Sequence, residues 1–355
     1  MRRGWTTGAC AAAAARAAFA ALLGGAFPDP VTIALPGGAR PRFPLALKER
    51  NGPVARAGVI KDAGDDPDVT HGALIVAEVA MAQAGAGLTF RAGPGVGTVT
   101  RPGLPLQPGE PAINPGPRAM IRAALAEVAA ACGHDGVDAA VTISIPGGEE
   151  LAARTLNARL GITGGLSILG TTGIVIPFSC AAWVHSIHRG IDVARAAGVA
   201  HIAASTGSTS EQAVQRLHHL PEIALLDMGD FVGATLKYLR RHSVPRLTLA
   251  GGFGKFAKLA QGHLDLHSAR STVDLSRLVQ GLRDLGATEE IVAAARRAQT
   301  AAEILAAIPP ALAAALTLEV ARGARETALA SLAGGSAVEV AIFDRQGALL
   351  ARADG

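Results

Sequence analysis

Cysteine is scarce in this chain: Cys10, Cys132 and Cys180 are the only thiols among 355 residues. An odd number, far apart and outside any paired metal spacing, excludes a disulfide framework and points to a reducing compartment, with the cysteines serving as small buried residues. Aromatic side chains make up only 3% of the sequence. A surface of stacked rings for nucleic acid therefore has little to build on, and no nucleic-acid partner is expected. Charge is sparse as well, at 17% against 49% hydrophobic residues. That balance excludes disorder and fits a well-buried globular protein with two domains of ordinary size. What charge there is leans positive, with a formal net of +4 and a pI near 9.3, so an anionic partner is favoured and a polyanionic small molecule fits.

Between Arg159 and Arg189 no formally charged residue occurs. The stretch reads RLGITGGLSILGTTGIVIPFSCAAWVHSIHR, long and apolar enough to raise a transmembrane reading. Pro177 and the repeated glycines and threonines argue against it, because they make a poor lipid-facing helix. The pattern predicts a buried strand at 166–169, a tight turn over Gly170, Thr171, Thr172 and Gly173, and a helix from Ser179 toward Ala197. Backbone without side chains in the way can touch a ligand at such a turn. The start, MRRGW and an alanine run, looks superficially like a secretory signal, but Arg16 interrupts it and alanine is only weakly apolar. Cytoplasm is the expected location, with no membrane partner, and the oligomeric state is left open, a homodimer included.

The first half reads as sheet-rich. Thr6 or Thr7 is placed to cap a helix over 8–23 that Gly24 and Gly25 stop, and its free N–H groups beside Arg2 and Arg3 suit a carboxylate or phosphate. A hairpin is expected from strands at 31–35 and 43–47, then strands at 54–60, 73–81, 98–100 and 137–145, with a helix from Asn114-Pro115 to Cys132. KDAGDDPDVTHG crowds Asp62, Asp65, Asp66 and Asp68 ahead of His71. Such carboxylates repel unless they bind a cation, protonate or stay in water, and solvated turn chemistry is the default. The spacing is not that of an EF-hand. Gly93, Gly95 and Gly97 precede a strand rather than a helix, a weak dinucleotide signature.

From 199 onward strands alternate with helices. Three strands, at 199–204, 223–226 and 247–250, run into Ser205-Thr206-Gly207-Ser208, Asp227-Met228-Gly229-Asp230 and Gly251-Gly252-Phe253-Gly254-Lys255, each followed by a helix. That rhythm predicts a largely parallel sheet whose ligand sits beyond the strands' carboxyl ends. GGFGKF is not a P-loop, since Phe256 stands where the magnesium-holding Ser or Thr belongs. His263, Asp265 and His267 alternate as metal ligands on a strand would, although polar loop residues fit equally. Alanine-rich helix fills 272–332, broken at Pro309-Pro310, before a closing strand at 338–343. The architecture expected is an α+β domain over 1–157 followed by an α/β domain over 158–355.

Several blocks together carry a family resemblance: RRGWTTGACAAAAA, AGVIKDAGDDPDVTHG, GVGTVTRPGL, GEPAINPGPRAMI, TLNARLGITGGLSILGTTGIV, MGDFVG and GKFAKLAQGHLDLHS. In this order and spacing they resemble the CbiD family of cobalt-precorrin-5B C1-methyltransferases. The resemblance runs from residue 2 to about 274, departs at Trp5, Ala9 and Gly116, and is looser in the tail. It implies methyl transfer from S-adenosylmethionine to C1 of a cobalt corrinoid in cobalamin biosynthesis, with cobalt present only in the substrate and no protein metal site.

Within that frame the acetate and propionate groups of a corrinoid give basic residues a partner. Arg3, Thr6, Thr7, Asp62, Arg101, Arg118, Lys255, Lys258, His267 and Arg270 are the expected substrate contacts. Gly164, Gly165, Gly170 to Gly173, Ser205, Thr206, Gly207, Met228, Gly229 and Asp230 are the expected donor site, and Asp65, His71 and Asp230 the candidate catalytic groups. The first domain would meet the corrinoid and the second the donor. Two other readings compete: a corrinoid carrier without chemistry, and a metal-dependent hydrolase built on Asp62, Asp65, Asp66, His71, His263 and His267.

Overall fold

The structure, a computed structural model, describes residues 1–354. The chain divides into two compact units, Met1–Ser179 and Cys180–Gly355. The division expected at 157/158 falls inside the first unit, because the glycine-rich segment pairs there. Ile162–Thr163 runs antiparallel to Thr98–Val99, Gly165–Leu166 parallel to Gly95–Val96, and Ile174–Val175 antiparallel to Gly4–Trp5. Ladders of two residues carry no readable alternation, so sequence periodicity cannot assign them.

In the first unit a five-stranded sheet has the order Leu47–Asn51, Val54–Ile60, Leu74–Met81, Ala139–Ser144, Leu88–Ala92. Only the last pair is parallel. Ala139–Ser144 alternates buried and half-buried residues, as a strand with one core face does. Two of these strands, Leu47–Asn51 and Leu88–Ala92, are absent from the sequence expectation. The first carries Lys-Glu-Arg on an exposed edge, so no hydrophobic alternation marks it.

Helix α1, Thr7–Gly24, lies against this sheet and against α2, Pro115–Ala131. Thr6 caps α1 by accepting the Ala9 amide at 3.2 Å, and Gly25, at φ 81, closes it. Alanine serves twice here, as the strongest helix former and as a side chain small enough for close packing on several sides at once. By length and composition α1 alone among the described residues could cross a bilayer, yet 72% of it is buried within the protein. It is a core helix. A short α3, Gly148–Ala152, follows the sheet.

The second unit opens with α4, Cys180–Ala196. Its sheet has the order Leu225–Asp227, His201–Ser205, Arg246–Gly252, Ala337–Phe343, Leu349–Ala353; the first four strands are parallel and the last is an antiparallel edge. Crossovers are α5, Ser208–His218, and α6, Val232–Leu239, while α7 to α11 (Phe253–Ala260, Leu275–Asp284, Glu289–Arg296, Ala301–Ala306, Pro310–Leu332) lie between the third and fourth strands. The chain passes from His201–Ser205 outward to the edge and then back across to Arg246–Gly252. Strand order therefore reverses between those two central strands, and the carboxyl ends at such a reversal are where doubly wound sheets hold their ligands. The tail that matched loosely by motif is integral to this unit's core, where Leu278, Val292, Ile304, Leu316 and Val320 pack with the strands' apolar residues.

Candidate active site

Each carboxylate of the acidic loop already has a donor. Asp62 holds the Arg2 guanidinium, with one contact at 2.8 Å, and accepts the Gly64 amide at 2.9 Å. The hydrogen bond from Arg2, helped by the Gly64 amide, keeps its pKa down to about 2. Asp65 accepts the Arg2 amide at 2.6 Å, Asp66 the Phe178 amide at 2.8 Å, and Asp68 pairs at 2.7 Å with the buried ammonium of Lys61. Two of the four carboxylates are paired with a cation and the other two hold backbone amides, which weakens the hydrolase reading. Asp65 pins the Arg2 backbone through one oxygen and is otherwise exposed.

His71 is different. Its Nδ1 accepts the Ala63 amide at 3.1 Å, so the neutral ring carries its proton on Nε2 and can donate with it. The side chain, 53% exposed, borders an open cleft of about 440 Å³ lined by Gly64 to Val69, His71 and Arg154.

The helix start expected to receive a carboxylate is covered. Leu169 O accepts the Gly8 amide at 2.9 Å, Thr6 takes that of Ala9, and the Thr7 hydroxyl is engaged with Leu169. Thr7 is buried, so neither threonine presents the helix end to a ligand. The same contacts account for much of the glycine cluster: a Cβ on Gly170 would meet the Thr6 side chain at 2.3 Å, and one on Gly173 would meet Leu35 at 2.6 Å. Thr171 and Thr172 are exposed between them. Arg118 is also structural, bonding Glu110 and Ile113 O at 2.7 Å each. Arg3 and Arg101 are exposed and enter no ion pair among the described residues.

At the carboxyl ends of the second unit's strands the expected residues do come together. Ser205 O accepts the amides of Met228 and Gly229 at 2.9 and 3.1 Å. Lys255 reaches Thr206 O at 2.9 Å and Asp230 at 3.1 Å, tying together the loops on either side of the reversal. Ser205 Oγ is buried without a hydrogen-bond partner, the Lys255 ammonium lies on the buried Asp230 Oδ1, and α5 and α7 start here with no side-chain cap. An unsatisfied buried hydroxyl beside uncapped helix N-termini fits a polar ligand with an anionic group. Met228 itself is fully buried and supports the loop from beneath. Gly164 to Gly173, expected to share this site, belong to the first unit.

His263, Asp265 and His267 lie in a loop, not on a strand. Asp265 bonds Arg270 at 2.7 Å and accepts the His267 amide at 3.1 Å, while Lys258 donates to Leu266 O at 2.8 Å. These groups fasten the loop to itself. Sequence reasoning missed a buried network at the other end of the strands: Glu339 accepts from Arg246 at 2.6 Å, Arg352 at 2.7 Å and Thr248 at 3.1 Å, beside His218 at 3.1 Å. With His201, whose ligand atom lies within 4.8 Å of theirs, His218 and Glu339 form a metal-like triad. Two guanidiniums on one carboxylate oppose a cation there. A lone Glu in the apolar run AVEVAIF was the available signal.

Comparison with known proteins agrees in scope with this architecture. A family model described as CbiD matches residues 1–177, and a second, described as CbiD, C-terminal domain, matches 265–354. The cobalt-precorrin-5B C(1)-methyltransferase of Bradyrhizobium sp. is 62% identical over 353 residues, covering 99% of this chain and 93% of the relative. That of Paramagnetospirillum magneticum is 58% identical, covering 99% and 97%. A crystal structure of a cobalamin biosynthesis protein (cbiD) from Archaeoglobus fulgidus is 29% identical and covers 72% of this chain and 78% of its own, with a TM-score of 0.41.

Proposed function

This chain belongs to the CbiD family, and we propose on that premise that it methylates ring carbon C1 of cobalt-precorrin-5B in cobalamin biosynthesis, giving cobalt-precorrin-6A. The donor in this reading is S-adenosylmethionine, and the setting is the cytoplasm. When bound, that donor supplies an electrophilic methyl group. The nucleophile is a carbon of the corrinoid, so the protein's work is to align the two and exclude water. No nucleophilic side chain and no protein-held metal are required.

The observation that carries the donor site is the orphaned buried hydroxyl of Ser205 beside the Lys255–Asp230 pair, at the point where strand order reverses. The uncapped start of α5 offers amides to the amino-acid carboxylate, and Asp230, held by Lys255, offers negative charge toward the sulfonium or ammonium. In the first unit, His71 Nε2–H, Arg3 and Arg101 are suited to corrinoid carboxylates. The test is incubation of the purified protein with methyl-labelled S-adenosylmethionine and cobalt-precorrin-5B. Label at C1 of the product is the expected result. Corrinoid binding with no label transferred would reduce the protein to a carrier.

A further inference from the structure

Trp183, one of two tryptophans in the chain, is 46% exposed near the start of α4. Its position is nonetheless fixed. The indole Nε1 donates to the Asp227 carbonyl at 3.0 Å. A Cβ built on Gly229 would lie 3.4 Å from the ring's Cζ2, so the indole lies on that backbone, and the Phe231 ring is 6.2 Å away. Open aromatic surface is unfavourable in water. A ring held open by three neighbours, next to the strand end that bears the unsatisfied Ser205 hydroxyl, has the form of a binding wall.

Asp227 has a topological meaning of its own. His201–Ser205, α5 and Leu225–Asp227 make the first strand–helix–strand crossing of the parallel sheet, and Asp227 ends its second strand. In doubly wound sheets a carboxylate at that position reaches the ribose hydroxyls of a nucleotide whose anionic part sits at the first strand's loop. That loop is Ser205 to Ser208, with the uncapped α5 behind it.

We propose that Trp183 and Asp227 form the nucleoside half of the donor site, the indole stacking on adenine and the Asp227 carboxylate accepting the ribose hydroxyls. This rests on the reading that the donor is S-adenosylmethionine bound in the second unit. The methionine half then extends toward Ser205, Asp230 and the start of α5. Trp183 is a binding residue in this assignment, and its backbone-anchored edge sets the plane of the base.

The chain supplies its own reporter. In a Trp5→Phe protein Trp183 is the sole tryptophan, while Trp5 belongs to the first unit and packs edge-on against Phe43. Titration with S-adenosylmethionine and with methylthioadenosine, which lacks the amino-acid end, should change Trp183 emission with midpoints equal to those from calorimetry. Trp183→Ala should weaken both ligands about tenfold or more, and Trp183→Phe less, since a phenyl ring still stacks. Asp227→Asn, which keeps the carbonyl that anchors the indole, should weaken both about tenfold but leave a 2′,3′-dideoxy analogue unaffected. Calorimetric binding with unchanged emission and full affinity in Trp183→Ala would overturn the subsite and leave the donor assignment standing. Failure of the donor to bind at all would overturn both. Emission that responds to the corrinoid and not to the donor would overturn the subsite by giving Trp183 to the macrocycle.

Discussion

The hydroxyl of Thr7 accepts the Leu169 amide at 2.9 Å and lies 3.3 Å from the carbonyl oxygen of the same residue. This pair closes the start of α1 against the glycine-rich segment. Replacing Thr7 by Val keeps the shape but leaves a half-buried amide without its partner, at a cost of about 1 kcal/mol. Thr7→Ser should be close to the parent. Denaturant midpoints of the two variants check this, and equal midpoints would return Thr7 to a ligand-binding role.

His71 offers its Nε2 proton because Ala63 occupies Nδ1. His71→Asn retains an acceptor for the Ala63 amide while losing the outward donor. Its corrinoid KM should rise about tenfold, as for loss of one hydrogen bond to a charged group, with S-adenosylmethionine affinity unchanged by calorimetry. An unchanged KM would place the corrinoid away from this cleft.

Gly164 and Gly165 are adjacent yet should behave oppositely. A Cβ at Gly165 would sit 2.4 Å from Gly95 backbone, whereas at Gly164, φ 82, it would meet nothing within 4 Å. Gly165→Ala should therefore cost about 3 kcal/mol or more by forcing two backbones apart. Gly164→Ala should cost about 1 kcal/mol for its left-handed backbone alone and leave donor affinity intact. Thermal unfolding and calorimetry together decide; a folded Gly165→Ala protein with lost donor affinity would reinstate the glycine loop as part of that site.

The network at the far end of the second sheet makes stability pH-dependent. Burial, followed by the nearby Arg246 and His218, pushes His201 down to about 4. An unfolded chain takes up that proton near pH 6.5, the folded one only near pH 4. Between these values the unfolded state binds more protons, so stability falls as pH drops from about 6.5 toward 4 and levels off below. Burial raises the Glu339 carboxyl, but Arg246, His218, Arg352 and Thr248 outweigh it, and its pKa is lowered. Its contribution is likewise lost toward acid. His201→Gln should flatten melting temperature against pH between 4 and 6.5. Glu339→Ala should cost about 1–3 kcal/mol at neutral pH, because Thr248 and two half-exposed arginines lose their acceptor. A flat profile in the parent protein would contradict this account.

Much of the fold was legible in local pattern. The cap at Thr6, the stop at Gly25, the strands over Val54–Ile60 and Leu74–Met81, and the alternation of strand and helix after 199 depend on neighbours in sequence, so the sequence displays them. The small-residue turns at Ser205, Asp227 and Gly251 were legible for the same reason, since a parallel sheet places such turns at one end. Family membership was equally readable, in the order of long motif blocks.

Tertiary structure decided which of those residues remain available to a ligand. Sequence alone shows four aspartates in one loop; only the fold brings Arg2, Lys61 and the Phe178 amide to them. Arg118 looks like any other basic residue until Glu110 and the Ile113 carbonyl close around it, and the start of α1 looks open until Leu169 covers it. The glycines of 164–173 were placed with the second domain, yet their ladders of two residues tie them to the first. Hydrogen bonds and close backbone approaches between residues far apart in the chain leave no period behind. Local pattern therefore names the elements and the motif blocks name the family, while tertiary pairing determines which groups are already spent on holding the protein together.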